Sequence, residues 1–431
     1  MTAFEPAGPA SRRAWLSDSG WLLGANLTRY LGLIAVMVIL TQLMTPEIVG
    51  QYTLSLAIAT PIFVFAQLGL RGVYLTHRHD FPLRDYLGLQ LVFLIGALFT
   101  SAAVAWLFDP TLVGVVVLVG LVKFGDAISE LFSAPLQGSG STSRIFVGFA
   151  ASALAGGIAA AGVLYFTRIL ELTLAALALA SALAALFLMW LPAMRSSRKP
   201  QSASPSRLPN MADIRGILKA GLPFGAGSAV LALVASIPQF FLALTWGNEA
   251  VAKYAVLYYL VMIADIFVGT LVQGWIPRAR SASASTELAP QGFLRFTFRT
   301  AFTWSAALLG VGAFGVWVAS FAYPWVFGPV YGFDLSVAIP IVAAITVLPI
   351  LGFSSMGIIV QNLYTHSLVL GLISAFTSAL FCALLIPGGG LVGAFWALAI
   401  SSAARAAPAF YFIAVGQARG SSGITRAQDE R

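Results

Sequence analysis

Charge is what this chain has least of. Only 9% of its 431 residues are charged and 59% are hydrophobic, whereas about a quarter of a soluble domain is charged. That scarcity excludes a soluble globular protein. Segments of alternating polarity, about 10 residues each in outer-membrane strands, are missing too, which argues against a membrane β-barrel. There is a single cysteine, Cys382, inside an apolar run, so neither a disulfide framework nor a thiolate metal site is available. His77, His79 and His366 fall at segment ends, and His77-Arg78-His79-Asp80 reads as a solvated loop rather than a metal site. No Walker-type phosphate loop, HExxH helix or glycine-rich dinucleotide turn occurs. The extramembrane segments are too short for an ATPase or glycosyltransferase domain. No enzyme, cofactor or resident metal is expected.

What fills the chain instead is apolar helix. A membrane span needs about 20 apolar residues, and such runs recur throughout. Length and polarity breaks predict about twelve spans: 21–44, 48–75, 86–108, 111–135, 145–166, 170–194, 217–245, 250–276, 294–322, 335–361, 366–386 and 391–415. The division inside 145–194 rests on Phe166-Thr167-Arg168 alone, and Pro387-Gly388-Gly389-Gly390 reads as an external turn. Residues 1–19 are polar, with Arg12 and Arg13, and the first long run lacks a cleavage site. It is expected to stay as a span rather than act as a signal peptide. The fold class expected is an all-α polytopic membrane protein.

The net charge of +8 suggests nucleic acid only until the charges are placed. With the N-terminus in the cytoplasm, roughly nineteen of the 24 Lys and Arg fall in cytoplasmic segments or tails. The external turns then keep Arg168 and Lys253, and carry Glu47, Asp109, Glu171, Glu249 and Asp334. This is the positive-inside pattern. It predicts cytoplasmic termini, the lipid bilayer as surroundings and no nucleic-acid partner.

RSSRKPQSASPSRLPN, 195–210, is the one extended break, with the composition of a cytoplasmic linker. It predicts a six-helix lobe over 1–194, a linker over 195–214, and a second six-helix lobe over 215–431 ending in a short cytoplasmic tail. The halves look related. At an offset of 202, Glu47, Val49, Tyr52, Phe65 and Gly72 fall on Glu249, Val251, Tyr254, Phe267 and Gly274. At 224, Gln137 and Ser143 fall on Gln361 and Ser367. Six spans twice over, starting in the same orientation, predict two lobes related by a pseudo-two-fold axis along the membrane normal, as in transporters. Small residues, dense from Ala150 to Gly162, predict close helix packing.

Ionisable residues inside spans are costly and mark candidate sites. Arg29, Lys123, Asp126, Asp265 and Arg405 each fall about 7–12 Å inside the cytoplasmic face, with Glu130 nearer still. Lys123, Asp126 and Glu130 are spaced i, i+3, i+7 and line one helix face. Charges from four helices at one depth predict a shared polar cavity. The simpler alternative is local pairing, Lys123 with Asp126, and Arg29 or Arg405 with Asp265. Asn26, Thr28, Gln67, Gln90, Gln137, Gln239, Gln273 and Gln361 add polarity, each equally suited to an interhelical hydrogen bond. Arg71 and Arg144 lie at cytoplasmic helix ends, where they line the cavity mouth or reach lipid headgroups. Tyr52, Tyr254 and Trp275 suit sugar stacking or, more commonly, an aromatic belt.

The runs Thr28-Arg29-Tyr30-Leu31-Gly32, Leu43–Tyr52 (LMTPEIVGQY) and Leu68-Gly69-Leu70-Arg71 resemble the opening of bacterial polysaccharide-biosynthesis flippases. Those are the Wzx-type members of the multidrug/oligosaccharidyl-lipid/polysaccharide exporter superfamily. Phe327-Gly328-Pro329-Val330-Tyr331 resembles their FG-x-x-Y turn, and Gly393-Ala394-Phe395-Trp396-Ala397 the G-A-x-x-A start of their last helix.

The resemblance implies twelve or more helices in two lobes around a cavity, with alternating access. Its cargo is a polyprenyl-pyrophosphate-linked oligosaccharide, moved across the bacterial inner membrane for surface polysaccharide. Other envelope-glycan assembly proteins are possible partners. Arg29 matches a first-helix arginine of the family, which implies headgroup binding there. Lys123 and Arg405 are expected to share that task. Asp126, Glu130 and Asp265 are expected to couple ions or balance charge. The chain departs from the family's expected cationic cavity, because its six buried charges are three basic and three acidic.

A cation-coupled exporter of small molecules shares the architecture and predicts an essential titrating carboxylate with dispensable arginines. Lipid II flipping is a further option within the flippase class. A membrane scaffold or glycan polymerase lies outside transport; a polymerase calls for a large external loop, and none is visible.

Overall fold

The computed structural model describes residues 9–76, 82–196, 211–284, 290–361 and 364–429. The His77–Asp80 cluster and most of the expected linker, 197–210, lie outside them. Without water to pair with, backbone N–H and C=O groups in a bilayer must bond internally. The described residues accordingly form helices, with no strand among them.

In chain order these are α1 (Pro9–Leu43), α2 (Pro46–Ala66), α3 (Leu70–Thr76), α4 (Leu83–Phe108), α5 (Val113–Gly138), α6 (Thr142–Thr167) and α7 (Leu170–Ala185). A π-helical turn, Leu186–Trp190, joins α7 to α8 (Leu191–Ser196). Then come α9 (Met211–Ala284), α10 (Pro290–Val326), α11 (Leu335–Val360) and α12 (Tyr364–Asp429). Among the described residues, ten stretches are long and apolar enough to cross a membrane. Two of them, within α9 and α12, are each broken by a glycine of positive φ, Gly247 at 79° and Gly390 at 52°. Counting each as two gives the expected twelve spans among the described residues. The chain is a multi-pass membrane protein.

Three details differ from the sequence expectation. Residues 387–389 stay helical and the break falls at Gly390 alone, where the Trp246 ring packs and Trp246 Nε1 donates to the Ile386 carbonyl at 2.9 Å. The final helix continues to Asp429 instead of ending near 415. The expected span 48–75 is two helices, because Leu68 (φ 51°) and Gly69 (φ 58°) both adopt the left-handed conformation between α2 and α3. That conformation costs an L-residue about 1–2 kcal/mol. Leu68 offsets it by burying its side chain completely.

The chain divides into two compact units, one of Met1–Met44 and Ile58–Ala229, the other of Thr45–Ala57 and Val230–Arg431. In the first, α1 packs on α6, α6 on α7, and α5 on α3, α4 and α7. Small residues set these approaches: Gly32 lies against Ala153, and Gly156 against Leu177 and Ser181. Ser152 and Ser181 donate to each other's carbonyls at 2.9 and 3.3 Å, which ties α6 to α7. Arg168, the residue on which the expected division of 145–194 rests, ends α6 in the left-handed conformation. It donates to the Leu43 carbonyl at 2.8 Å. In the second unit α11 packs on α10 and α12. The repeat-related turns meet there, since a Cβ on Gly50 would collide with the Asn248 carbonyl.

The acids of the expected external turns sit at helix starts, where the macrodipole favours negative charge. Glu47 and Glu171 occupy the first turns of α2 and α7. Asp109 accepts from Thr111 N and Oγ1 at 2.9 and 2.8 Å. Asp334 accepts from Ser336 Oγ at 2.6 Å, a bond that holds its carboxyl below the usual carboxylate range.

Gly69→Ala is expected to destabilise the protein by about 1–3 kcal/mol, the scale of a strained backbone position. The new Cβ also meets the Phe224 ring. Gly88→Ala, in open space within α4, is expected to leave stability unchanged. Thermal melts of the two purified variants check this.

Candidate functional site

The first unit gathers charge on one face of α5. Lys123, Asp126, Glu130 and Gln137 recur along it at helical spacing, so side chains seven residues apart project the same way. Glu130 is the hub. Its Oε2 accepts from Arg29 Nη1, on α1, at 2.5 Å. Its Oε1 accepts from Arg71 Nη1, on α3. Arg71 Nη2 also donates to Gln137 Oε1 at 2.9 Å, so the planar guanidinium spans two acceptors on one helix. The Arg29 guanidinium lies 4.9 Å from the centre of the Phe149 ring on α6, within cation–π range. Four helices thus contribute to one cluster.

The left-handed break at Leu68-Gly69 explains how Arg71 gets there. It frees α3 from the direction of α2, and α3 packs on α5. Arg71 therefore belongs to the cluster and is not only a mouth residue. Lys123 and Asp126 lie within electrostatic reach of Arg29. No Lys123–Asp126 ion pair forms among the described residues. With Arg71 included, this unit's cluster holds three basic and two acidic residues, a net positive balance. Side-chain exposures are 32% for Arg29, 25% for Arg71 and 22% for Glu130. Arg144, the other expected mouth residue, is exposed near the start of α6.

Asp265 and Arg405 belong to the second unit. They line a cavity of about 350 Å³ with Ser355, Ser374, Ser402 and Tyr258. The two interact electrostatically but form no ion pair among the described residues. Arg405 Nη2 reaches Ser355 Oγ at 3.4 Å. Tyr254 is buried against Phe395, ring centres 4.9 Å apart, and Trp275 packs edge-on to Phe353. These rings serve as packing rather than as free stacking faces.

Phe149 and Ser374 carry no signal in the sequence, one a phenylalanine among 31 and the other a serine in an apolar helix. Gln137 is visible only as a polar residue in a span; the spacing of seven from Glu130 is what links it to Arg71.

Glu130→Gln keeps the shape and removes the charge shared by two arginines. A charge-assisted hydrogen bond contributes about 1.5–3 kcal/mol, less where water screens it. The variant is expected to melt lower by about 1–3 kcal/mol of stability. Arg29→Gln, which leaves Glu130 paired with Arg71, is expected to cost less. Denaturation curves of the two proteins, compared side by side, check the order.

With the geometry in hand, comparison with known proteins places the chain. The family described as "Polysaccharide biosynthesis protein" matches residues 15–282. Capsular polysaccharide biosynthesis protein CapF of Staphylococcus aureus is 22% identical over 400 residues, covering 92% of this chain and 98% of CapF. Among solved structures, a multidrug resistance MATE family transporter of the MOP superfamily in an outward-facing conformation superposes with a TM-score of 0.63. It is 14% identical, covering 94% of this chain and 96% of its own. The lipid II flippase MurJ in an inward closed conformation gives 0.61 at 10% identity, covering 92% and 90%. At those identities the structures establish a shared fold. The chain belongs to the polysaccharide biosynthesis protein family.

Proposed function

We propose that this protein is a flippase that moves a polyprenyl-pyrophosphate-linked oligosaccharide across the bacterial inner membrane by alternating access. The observation that carries the proposal is the convergence of Arg29 and Arg71, from two helices, on the two oxygens of one carboxylate. Two guanidinium groups held that close suit a ligand with several anionic oxygens in a small space, since each planar fork binds phosphate in a bidentate manner. A pyrophosphate presents more such oxygens and more charge than Glu130, and it replaces the carboxylate when it arrives. Lys123 adds a third cation. Asp126 and Glu130 hold the cations in place, and keep the empty site from carrying unbalanced charge. The family and the capsular polysaccharide relative support a saccharide cargo.

In the same proposal the chain is organised as the lobes 1–194 and 215–431, joined by the linker 195–214, with both termini cytoplasmic. Arg144 serves the cytoplasmic mouth. A cation-coupled exporter is the competing reading, and Asp265 favours it, being a carboxylate with no hydrogen bond or ion pair among the described residues.

Reconstituted protein and a labelled polyprenyl-pyrophosphate glycan separate the two. Each lost charge-assisted bond is worth about tenfold or more in affinity. Arg29→Gln and Arg71→Gln are therefore expected to slow flipping by about tenfold or more, and Asp126→Asn by less. If flipping survives both arginine substitutions, the arginine cluster is not the pyrophosphate site; if the reconstituted protein flips no glycan but moves small organic cations, and Asp126→Asn abolishes that movement, the exporter reading replaces this one.

Topology has its own check. Native Cys382 is fully buried and should stay silent to a membrane-impermeant maleimide. Glu47→Cys is expected to label in intact cells, and Ser139→Cys, in the α5–α6 turn, only after permeabilisation. The reverse pattern would overturn the orientation.

A further inference from the structure

The cavity of the second unit has chemistry unlike that of the arginine cluster. It holds one carboxylate and one guanidinium, Asp265 and Arg405, both facing the space and not neutralised by direct contact. A phosphate is repelled by the first and a simple cation by the second, so neither kind of ion is a good occupant. Hydroxyl groups line the rest of the polar wall, from Ser355, Ser374, Ser401 and Ser402. Ser374 is 97% buried, yet its Oγ has no hydrogen-bond partner. A buried hydroxyl left unpaired costs free energy, so this one is poised for a partner. The remaining wall is aliphatic, with the Tyr258 ring held stacked on Tyr254 at 5.8 Å between centres. At about 350 Å³ the space falls within the range of small-ligand pockets, roughly 300–1,000 Å³.

We infer that this cavity is a carbohydrate subsite, taking a neutral sugar ring. Asp265 accepts from ring hydroxyls, Arg405 and Ser374 donate to them, and the aliphatic wall and Tyr258 cover the C–H face. The inference rests on the flippase proposal and deepens it. The anionic part of the substrate and its glycan are read by different units, so Asp265 and Arg405 set which sugar is accepted rather than whether a pyrophosphate binds.

Full-length protein in nanodiscs provides the test, by saturation-transfer NMR with N-acetylglucosamine, glucose, galactose and rhamnose as separate probes. At least one sugar is expected to give a signal. Asp265→Asn and Ser374→Ala are each expected to weaken it by about tenfold, one charge-assisted or buried hydrogen bond, while Arg71→Gln leaves it intact. Ser374→Ala removes an unpaired hydroxyl, so its thermal melt should match or exceed the parent's, which separates lost binding from lost folding. The inference is overturned if no sugar gives a signal, or if the signal survives both cavity substitutions. It is overturned equally if Asp265→Asn changes only the sodium or proton dependence of flipping. A sugar signal in a protein that does not bind polyprenyl pyrophosphate would sink the flippase proposal and leave the subsite standing.

Discussion

A charge in hydrocarbon must bring its own counter-charge. A lone ionised side chain at the centre of a bilayer costs several kcal/mol or more, and Glu130 is how this chain meets that cost twice over. One carboxylate accepts from Arg29 on one oxygen and Arg71 on the other. Without it, two guanidinium groups would face each other in a poorly hydrated space. Much of the first unit's local design serves this contact: the left-handed step that sets α3 apart from α2, the polar stripe of α5, and the Phe149 ring beneath Arg29. All three side chains keep part of their surface exposed, and the proposed function requires their pairing to be exchangeable. Fully buried pairs are fixed by the penalty of separating them. In the proposed flippase, a half-open one would trade its carboxylate for the substrate's anion.

The sequence made the spans legible because hydrocarbon thickness sets a length scale that composition reports directly. Among the described residues the twelve spans are recovered once the glycine breaks at 247 and 390 are counted. Acidic residues in turns were readable for the same reason, since an acid between two apolar runs is also an acid at a helix start. Helix spacing told which residues share the face of α5, but not which helices that face meets. The pairing of Arg29 and Arg71 with Glu130 spans separations of 101 and 59 residues, and no local pattern encodes it. By sequence Arg71 is a residue at a cytoplasmic helix end and reads as part of the mouth, because the break before it carries no local signal. A leucine in the left-handed conformation at position 68 is not something propensity anticipates.

Repeat-related residues also show how far the halves have diverged. Val49 and Val251 are both fully buried, and Tyr52 and Tyr254 both lie in the core, so the structural positions have been kept. The charges have not. At the offset of 202, Arg29 and Arg71 fall on Leu231 and Gln273, and at 224 Glu130 falls on Ser354. The second half therefore lacks the cluster's counterparts and carries Asp265 and Arg405 elsewhere.

For the flippase proposed above, that asymmetry bears on how an amphipathic substrate would be handled. A lipid-linked glycan has one dense anionic group and a much larger neutral part, and the two place opposite demands on a protein surface. Phosphate oxygens call for converging cations with a counter-ion to hold them apart until needed, which is the arrangement on α1, α3 and α5. Sugar hydroxyls call for separated donors and acceptors of balanced charge beside an apolar wall, as in the cavity lined by Asp265, Arg405 and Ser374. Two identical halves would offer the same chemistry twice and suit only one part of such a molecule. Keeping the helices and discarding the charge symmetry lets one repeated scaffold present both.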